Sequence, residues 1–210
     1  MSPLWRALLA CGMAAPVLAL VSTLVAMAAN PGFNPARQYL SELGGASAGA
    51  AALFNTGVFA AGLMAALAGG GFALAILALT DARWAAGLTL TVFALSGAGM
   101  GRAALYPWPD PRHLAINLAL GIQLAPLLLI WGLWPRRDMR RLKLFLIAVF
   151  AVMATLTVLT RHLVFPSLVN DANVGWWERA YALVLVGWVG IAAFALERRL
   201  LREASATKTA

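Results

Sequence analysis

The chain has 210 residues, of which 62% are hydrophobic and only 11% are charged. Its mean hydropathy of +0.81 is far above that of a soluble globular domain, and apolar stretches of about 20 residues, long enough to cross a bilayer, recur along it. Because a helix satisfies its own backbone hydrogen bonds in lipid, the composition predicts an all-α, polytopic transmembrane helical bundle. It excludes a separate soluble domain. The net charge of +8 is typical of the cytoplasmic Lys/Arg excess of membrane proteins, so no nucleic-acid partner is expected.

Six apolar segments are predicted to span the membrane. Gly69–Gly71 is the expected weak point of the second segment, which is long enough to tilt or break. Gly97, Gly99 and Gly101 form a small-residue face on the third, which allows a neighbouring helix to approach closely. Trp188, in the middle of the sixth, is expected to pack inside the bundle. The predicted spans are residues 7–29, 50–79, 84–105, 113–134, 142–160 and 179–196.

The distribution of charge predicts the orientation. With both termini in the cytoplasm, eleven of the 16 basic residues fall at inner ends and five at outer ends, while the eight acids divide evenly. This agrees with the positive-inside rule and predicts a multi-pass protein of the cell (inner or plasma) membrane. Residues 1–197 then form one six-helix domain, and residues 198–210 a short cytoplasmic tail that is expected to be disordered. Membrane lipids are the expected partners, and the oligomeric state stays open.

The first outer connection is predicted to contain a short helix. Asn34 suits its N-cap, Pro35 its first position, and Gly44 with Gly45 its end. Its apolar residues share one face. The helix either lies in the membrane interface or forms a lid over a cavity between the spans.

The second outer connection, Tyr106–His113, has three prolines at alternate positions and is therefore predicted to be stiff and extended. Asp110 is expected to cap the fourth span, with Pro111 at the first helical position. His113 would then project from the first turn, and Asn117 would share its face one turn below. A rigid turn with a capping aspartate is the simpler interpretation.

Both histidines are predicted to lie at one membrane level, since His113 begins the fourth span and His162 ends the fifth. Ionisable groups at this boundary tend to face the bundle and to pair, although such pairs also form simply to hold helix ends together. The candidate ligand-binding residues are Ser41, Glu42, Asn55, Arg102, Asp110, Arg112, His113, Asn117, Arg161, His162, Glu178 and Arg179.

Three kinds of chemistry fit these candidates. Arginines can hold the phosphate or carboxylate of a lipid head group. His113, His162 and Asp110 are the candidate ligands for a metal, most simply zinc, in a lipid hydrolase or transferase, but no HExxH is present. Two histidines could instead ligate a haem, although there is no CxxCH.

The leading hypothesis is a membrane protein that binds a lipid or small amphiphile in an outer-facing polar cavity. A purely structural or partner-binding role without a cavity is a further alternative. In the leading hypothesis positive charge comes from Arg102, Arg112, Arg161 and Arg179, and the ligand is oriented by Ser41, Glu42, Asp110 and His113.

Four short motifs carry a resemblance to a known family: Tyr39 to Gly44 (Tyr-Leu-Ser-Glu-Leu-Gly), Phe54-Asn55 at the start of the second span, Tyr106-Pro107…Asp110…His113, and Glu178-Arg179 before the last span. In their order and spacing, over nearly the whole chain, the sequence resembles the bacterial and archaeal six-helix membrane family catalogued as domain of unknown function 998. The resemblance implies a six-helix integral membrane protein with a polar cluster on its outer side. It implies no established activity.

Overall fold

The structure, a computed structural model, describes residues 3–113, 118–159 and 165–209. Its regular secondary structure in these ranges is entirely helical, which confirms the all-α fold class. Five of the six α-helices are long and apolar enough to cross a membrane, so the chain is a multi-pass membrane protein. The α-helices are α1 (Leu4–Ala28), α2 (Ala51–Thr80), α3 (Arg83–Leu105), α4 (Ala125–Gly132), α5 (Arg140–Leu159) and α6 (Val174–Thr209), and 3₁₀-helices cover Leu40–Gly44, Leu118–Gln123 and Arg137–Met139.

The bundle has two ends of different character. One end, called the loop end, carries the connections formed by residues 29–50, 106–113 and 165–173. The other, called the basic end, carries the turns at residues 81–82 and 133–139, the start of α1 and the last turns of α6. There the Arg6 side chain lies 3.2 Å from the Glu197 carboxylate, which ties the first helix to the last.

Three aromatic rings occupy the centre of the bundle. The ring centroids of Phe72 and Phe93 are 5.0 Å apart, and that of Trp188 lies 6.3 Å and 6.0 Å from them. All three side chains are buried, and Trp188 is only 2% exposed. The prediction that Trp188 packs inside the bundle is confirmed. These rings join α2, α3 and α6 in one core.

Helices α2 and α3 form a close antiparallel hairpin. Asp81 ends α2 in the left-handed conformation, with φ of 56°, and only Ala82 separates it from α3. A Cβ atom on Gly97 would lie 2.5 Å from the backbone oxygen of Gly62, so the two backbones touch where neither residue has a side chain. The close approach predicted for Gly97 is confirmed.

The expected weak point at Gly69–Gly71 is wrong, because α2 is continuous from Ala51 to Thr80. A Cβ atom at Gly69 would lie 2.5 Å from Phe93 Cβ, and one at Gly71 would lie 2.8 Å from the Leu9 nitrogen. These glycines therefore make room for α3 and α1. Packing on both sides outweighs their low helix propensity.

The fourth predicted span, residues 113–134, is not a continuous α-helix. Residues 118–123 form a 3₁₀-helix, and α4 covers only Ala125–Gly132; residues 114–117 lie outside the described ranges. Pro126 has no N–H to donate to the residue four positions earlier, and its ring crowds that carbonyl. It is tolerated in the first turn of α4, so the regular helix starts there.

Helix α6 is longer than predicted at both ends. It begins at Val174 and continues to Thr209, so the tail from Arg198, which was expected to be disordered, is helical up to Thr209. Arg199 and Glu203 are one turn apart, and their side chains lie 3.0 Å apart. Such a pair supports a helix beyond the apolar span.

Candidate functional site

The first connection of the loop end folds over the start of α6. Gly175 makes this approach possible, since a Cβ atom there would lie 2.4 Å from the Pro35 oxygen and 2.7 Å from the Gln38 oxygen. Three hydrogen bonds, called the latch below, hold the connection down. Gly175 N donates to Ala36 O at 2.8 Å, Leu40 N to Glu178 Oε2 at 2.6 Å, and Arg179 Nη1 to Gln38 O at 3.0 Å.

The short helix predicted from Asn34 starts later, at Leu40, and is a 3₁₀-helix. Asn34 Oδ1 accepts a hydrogen bond from Ala36 N at 3.0 Å and forms a local turn instead of a helix cap. The carboxylate of Glu42 reaches back to accept from Tyr39 N at 2.7 Å, which satisfies a backbone donor at the true start of the helix.

Arg179 is the least satisfied group of this region. Its Nη1 donates to Gln38 O and to Gly175 O, the latter at 2.7 Å, and its guanidinium lies 5.1 Å from the Phe33 ring centroid. Its Nε and Nη2 are buried and have no hydrogen-bond partner among the described residues. Buried donors are nearly always satisfied in native proteins. The two donors therefore have an unmet hydrogen-bonding requirement within the part of the chain that the structure describes.

Asn55 and Ser41 support the short helix. Asn55 Nδ2 donates to Gly44 O at 2.9 Å, which fixes the end of the 3₁₀-helix on α2. A Cβ atom at Gly44 would lie 2.2 Å from Asn55 Oδ1. Ser41 is half-buried within the same helix. The structure therefore gives Asn55 a positioning role.

Asp110 and Arg112 form a local ion pair in the second connection. Arg112 Nη2 lies 2.6 Å from Asp110 Oδ2, and Arg112 N donates to Asp110 Oδ1 at 2.8 Å, as in a helix cap. The hydrogen bond from the Arg112 side chain lowers the pKa of Asp110 to about 2. Residues 111–113 form a turn and a bend, so the prediction that a helix capped by Asp110 starts at Pro111 is wrong; residues 114–117 lie outside the described ranges.

His113 is oriented by the end of α3. Its Nδ1 lies 2.8 Å from Tyr106 O and 3.2 Å from Ala103 O. Carbonyl oxygens only accept hydrogen bonds, so Nδ1 carries the proton, and Nε2 is the acceptor of the neutral ring. The backbone thus fixes one tautomer of His113.

The predicted pairing of the two histidines stays a prediction. Asn117, Arg161 and His162 lie outside the described residues. Among the residues that are described, no group of three His, Cys, Asp or Glu side chains is placed to hold a metal ion. A zinc site with three such ligands would therefore have to include His162.

Arg102 lies beside this group, close enough to help lower the pKa of Asp110 but without a salt bridge to any described residue. Its Nε donates to Arg112 O at 3.1 Å, and its guanidinium is 5.9 Å from the Tyr106 ring centroid. Salt bridges within the described ranges do not include Arg102. Asp110, the nearest acid in sequence, is already occupied by Arg112.

A cleft of about 610 Å³ opens between the first connection and Trp108–Pro109. Its polar lining includes Asn30, Gln38 and Glu42, and Gly45 allows the Trp108 backbone to come close. Gln38 Nε2 donates to Glu42 Oε2 at 2.9 Å, so the carboxylate is held in place. Its apolar lining includes Phe33, Leu43 and Trp108.

A family model described as a protein of unknown function, DUF998, matches residues 13–195. The chain belongs to the DUF998 family. Curated proteins and solved structures yield no match to it. The resemblance carried by the four short motifs is therefore confirmed. Because the family has no assigned activity, the function of this DUF998 protein must be argued from its site.

The predicted site residues that the structure describes fall into two groups at the loop end of this DUF998 protein. Ser41, Glu42, Asn55, Glu178 and Arg179 gather around the latch, and Arg102, Asp110, Arg112 and His113 gather at the second connection. Among the predicted residues that the structure describes, Glu42 alone lines the cleft.

Sequence reasoning missed Asn30, Gln38 and Trp108. Asn30 Oδ1 accepts from Gly49 N at 2.6 Å and closes the base of the first connection. Its position directly after α1 was an available signal, since asparagine often ends helices. Trp108 is not among the predicted site residues, although its place between two prolines could have marked it as rigidly held.

Proposed function

We propose that this DUF998 protein binds a lipid or small amphiphile in the cleft at the loop end, and that this end faces away from the cytoplasm. The observation that carries the proposal is the cleft itself, whose volume of about 610 Å³ lies within the roughly 300–1,000 Å³ typical of ligand sites. It combines a carboxylate with aromatic walls at the boundary of the spans. An amphiphile could place its polar group against the carboxylate and its apolar part against the aromatic side chains.

The polar part of the ligand would contact Glu42 and Gln38. Each Glu42 oxygen already accepts one hydrogen bond, from Tyr39 N or from Gln38 Nε2, and each has a second lone pair. The site therefore suits a head group that donates N–H or O–H bonds, such as an ammonium or a hydroxyl. This differs from the arginine-based recognition expected from the sequence, because the described arginines do not line the cleft.

The apolar part of the ligand would contact Phe33, Leu43 and Trp108, which form the other side of the cleft. Trp108 is 43% exposed, so much of its surface is available. An aromatic face beside a carboxylate also favours a cationic head group through cation–π attraction.

The proposed orientation of the protein in the membrane rests on the distribution of its basic residues. The basic clusters from Arg136 to Lys143 and from Arg198 to Lys208 fall at the basic end. Lys/Arg excess marks the cytoplasmic side, so the loop end would face outward and both termini inward.

The test uses native mass spectrometry of the full chain with two lipids, phosphatidylethanolamine and phosphatidylcholine. Only the first has N–H donors for Glu42, so it should bind more tightly. Glu42→Gln should weaken its binding about tenfold, since a hydrogen bond to a charged group is lost, and Trp108→Ala should weaken both lipids. Asp81→Asn and Trp84→Ala, exposed at the basic end, are the matched controls. Equal binding by Glu42→Gln, Trp108→Ala and the controls would overturn the proposal.

A further inference from the structure

A second cavity lies on the outer surface of the α2–α3 hairpin, separate from the cleft. It is a groove of about 610 Å³ between the two helices. Its lining includes Phe59 and Leu63 of α2, Ala98, Gly101 and Arg102 of α3, and Tyr106 just beyond α3. Apart from Arg102 and Tyr106 the lining is apolar.

The groove opens on the side that faces lipid. Phe59 is 45% exposed, Leu63 50% and Leu105 66%, and all three belong to helices long enough to span a membrane. Large apolar side chains so exposed on a spanning helix are covered by acyl chains.

The length of the groove matches one leaflet. On α3 its lining runs from Ala94 to Leu105, which corresponds to about 16 Å along a helix. This is half of the roughly 30 Å hydrocarbon core of a bilayer. A groove of this length reaches from the head-group level near the bundle's loop end to the middle of the membrane.

The loop end of the groove carries a net positive charge among the described residues, because two arginines, Arg102 and Arg112, face a single nearby acid, Asp110. Arg102 forms none of the salt bridges found among them, and only its Nε is used, to donate to Arg112 O. Arg112 is paired with Asp110. Among the described residues, the terminal nitrogens of Arg102 therefore have no acceptor, and they lie at the level where lipid phosphates are expected.

We propose that the groove holds one acyl chain of a phospholipid of the leaflet at the loop end, and that Arg102 binds its phosphodiester. Charge complementarity favours this occupant over a second copy of the chain. A packed helix could fill the apolar part, but it would have to bring an anion to Arg102, whereas a phospholipid brings one at the required level. Guanidinium groups bind phosphate oxygens through two parallel hydrogen bonds.

The experiment measures lipid binding to the full chain by native mass spectrometry, with phosphatidylglycerol, diacylglycerol and inorganic phosphate as probes. Phosphatidylglycerol should bind. Diacylglycerol lacks a phosphate and inorganic phosphate lacks acyl chains, so each should bind at least about tenfold more weakly than phosphatidylglycerol. Arg102→Gln should remove this preference for phosphatidylglycerol. Ala98→Leu should fill the groove and weaken the binding of phosphatidylglycerol by a similar factor.

Two controls match these variants. Arg37→Gln removes an exposed arginine of the loop end, and Ala151→Leu enlarges an exposed alanine on α5; both should bind phosphatidylglycerol as the parent does. If Ala98→Leu does not fold, Arg102→Gln alone still decides whether the phosphate contact exists.

Three outcomes would overturn the proposal. Unchanged phosphatidylglycerol binding in Arg102→Gln would remove the phosphate contact. A second outcome is tight binding of inorganic phosphate to the parent and to Ala98→Leu but not to Arg102→Gln. That result would indicate an anion site that holds no acyl chain. A dimer that Ala98→Leu converts to monomer, with lipid binding unchanged, would show that a second copy occupies the groove. None of these results bears on the cleft, so the two proposals fail separately.

Discussion

The two ends of the bundle treat their charged groups differently. At the basic end, half-buried arginines meet carboxylates in a closed network: Arg199 lies 2.6 Å from Asp138, Arg136 lies 3.0 Å from Asp138, and both arginines contact Glu203. At the loop end, Glu178 accepts a backbone N–H, while Arg102 and Arg179 keep nitrogens without partners among the described residues.

This difference separates structural charges from charges that are available to a ligand. A network in which each cation contacts an anion holds elements together and has little capacity left. Donors without acceptors, placed near a cleft and a groove, cost stability unless something binds them. The loop end is therefore where binding is expected, and the basic end is where the helices are tied.

The largest loss of stability is expected from Gly175→Ala, which disrupts the packing of the latch. The new methyl would meet the Pro35 and Gln38 oxygens well inside contact distance, and overpacking of this kind costs about 3 kcal/mol at the upper end. Chemical unfolding in detergent should show the loss, and limited proteolysis should cut residues 29–50 more readily. Gly187→Ala is the control in the same helix, since nothing lies within 4 Å of its new methyl. Equal stability of the two variants would contradict the latch.

A loss of about 2 kcal/mol is expected from Glu178→Leu, because the Leu40 N–H loses its acceptor in a buried place. Glu178→Gln keeps an oxygen there and should cost much less. Hydrogen exchange of the Leu40 amide provides the direct measurement. Fast exchange in both variants, or in neither, would show that the bond does not form as described.

A smaller loss, about 0.5 kcal/mol, is expected from Asp138→Asn at the basic end. The neighbouring Arg136 side chain lowers the pKa of Asp138, so its contribution is present above the unfolded pKa and is lost as pH falls through the folded pKa. Raising salt to about 1 M should remove most of the difference from the parent. The cost of Glu178→Leu, which removes a part-buried acceptor of the Leu40 backbone N–H, should persist in salt. If both costs respond alike to salt, the contrast between the ends is wrong.

The smallest effect concerns Asp110, and we expect it to appear only in titration. Its pKa is lowered to about 2 from 3.8, so its pair with Arg112 is fully present above pH 3.8 and is lost as pH falls through about 2. Carboxyl NMR of Asp110 should give a midpoint near the lower value, and Arg112→Gln should return it toward 3.8. If the titration midpoint of Asp110 is the same in Arg112→Gln as in the parent, the ion pair between Asp110 and Arg112 is excluded.

The spans were predictable because apolar length is a direct physical requirement of the bilayer. The break in the fourth segment was not, since hydropathy measures apolar character and does not register that Pro126 removes a backbone hydrogen bond. The helical tail was missed although the Arg199–Glu203 pair, one turn apart, is visible in the sequence; the contact of Arg199 with Asp138 depends on a distant connection. Tertiary partners of this kind are invisible in local composition.

The sequence predicted at which end of the bundle the candidate residues lie, but it did not predict which groups their side chains contact. Position along the spans predicted that Arg102, Asp110, Arg112 and His113 lie at one end, and the structure has them close together there, while their role as a site stays a prediction. Which group each side chain meets depends on its rotamer: Arg179, expected to offer charge to the cavity, instead turns to the Gln38 carbonyl. Sequence spacing carries no information on that choice.

The two-residue turn between α2 and α3 has a consequence for how the protein is made. Both helices, the turn at Asp81 and the backbone contact of Gly62 with Gly97 lie within one continuous stretch of chain. The residues of this interface all lie within residues 51–105, and contacts close in sequence form early. The hairpin can therefore enter the bilayer as a preassembled pair during synthesis, and it offers α1 and α6 a finished surface on which to dock.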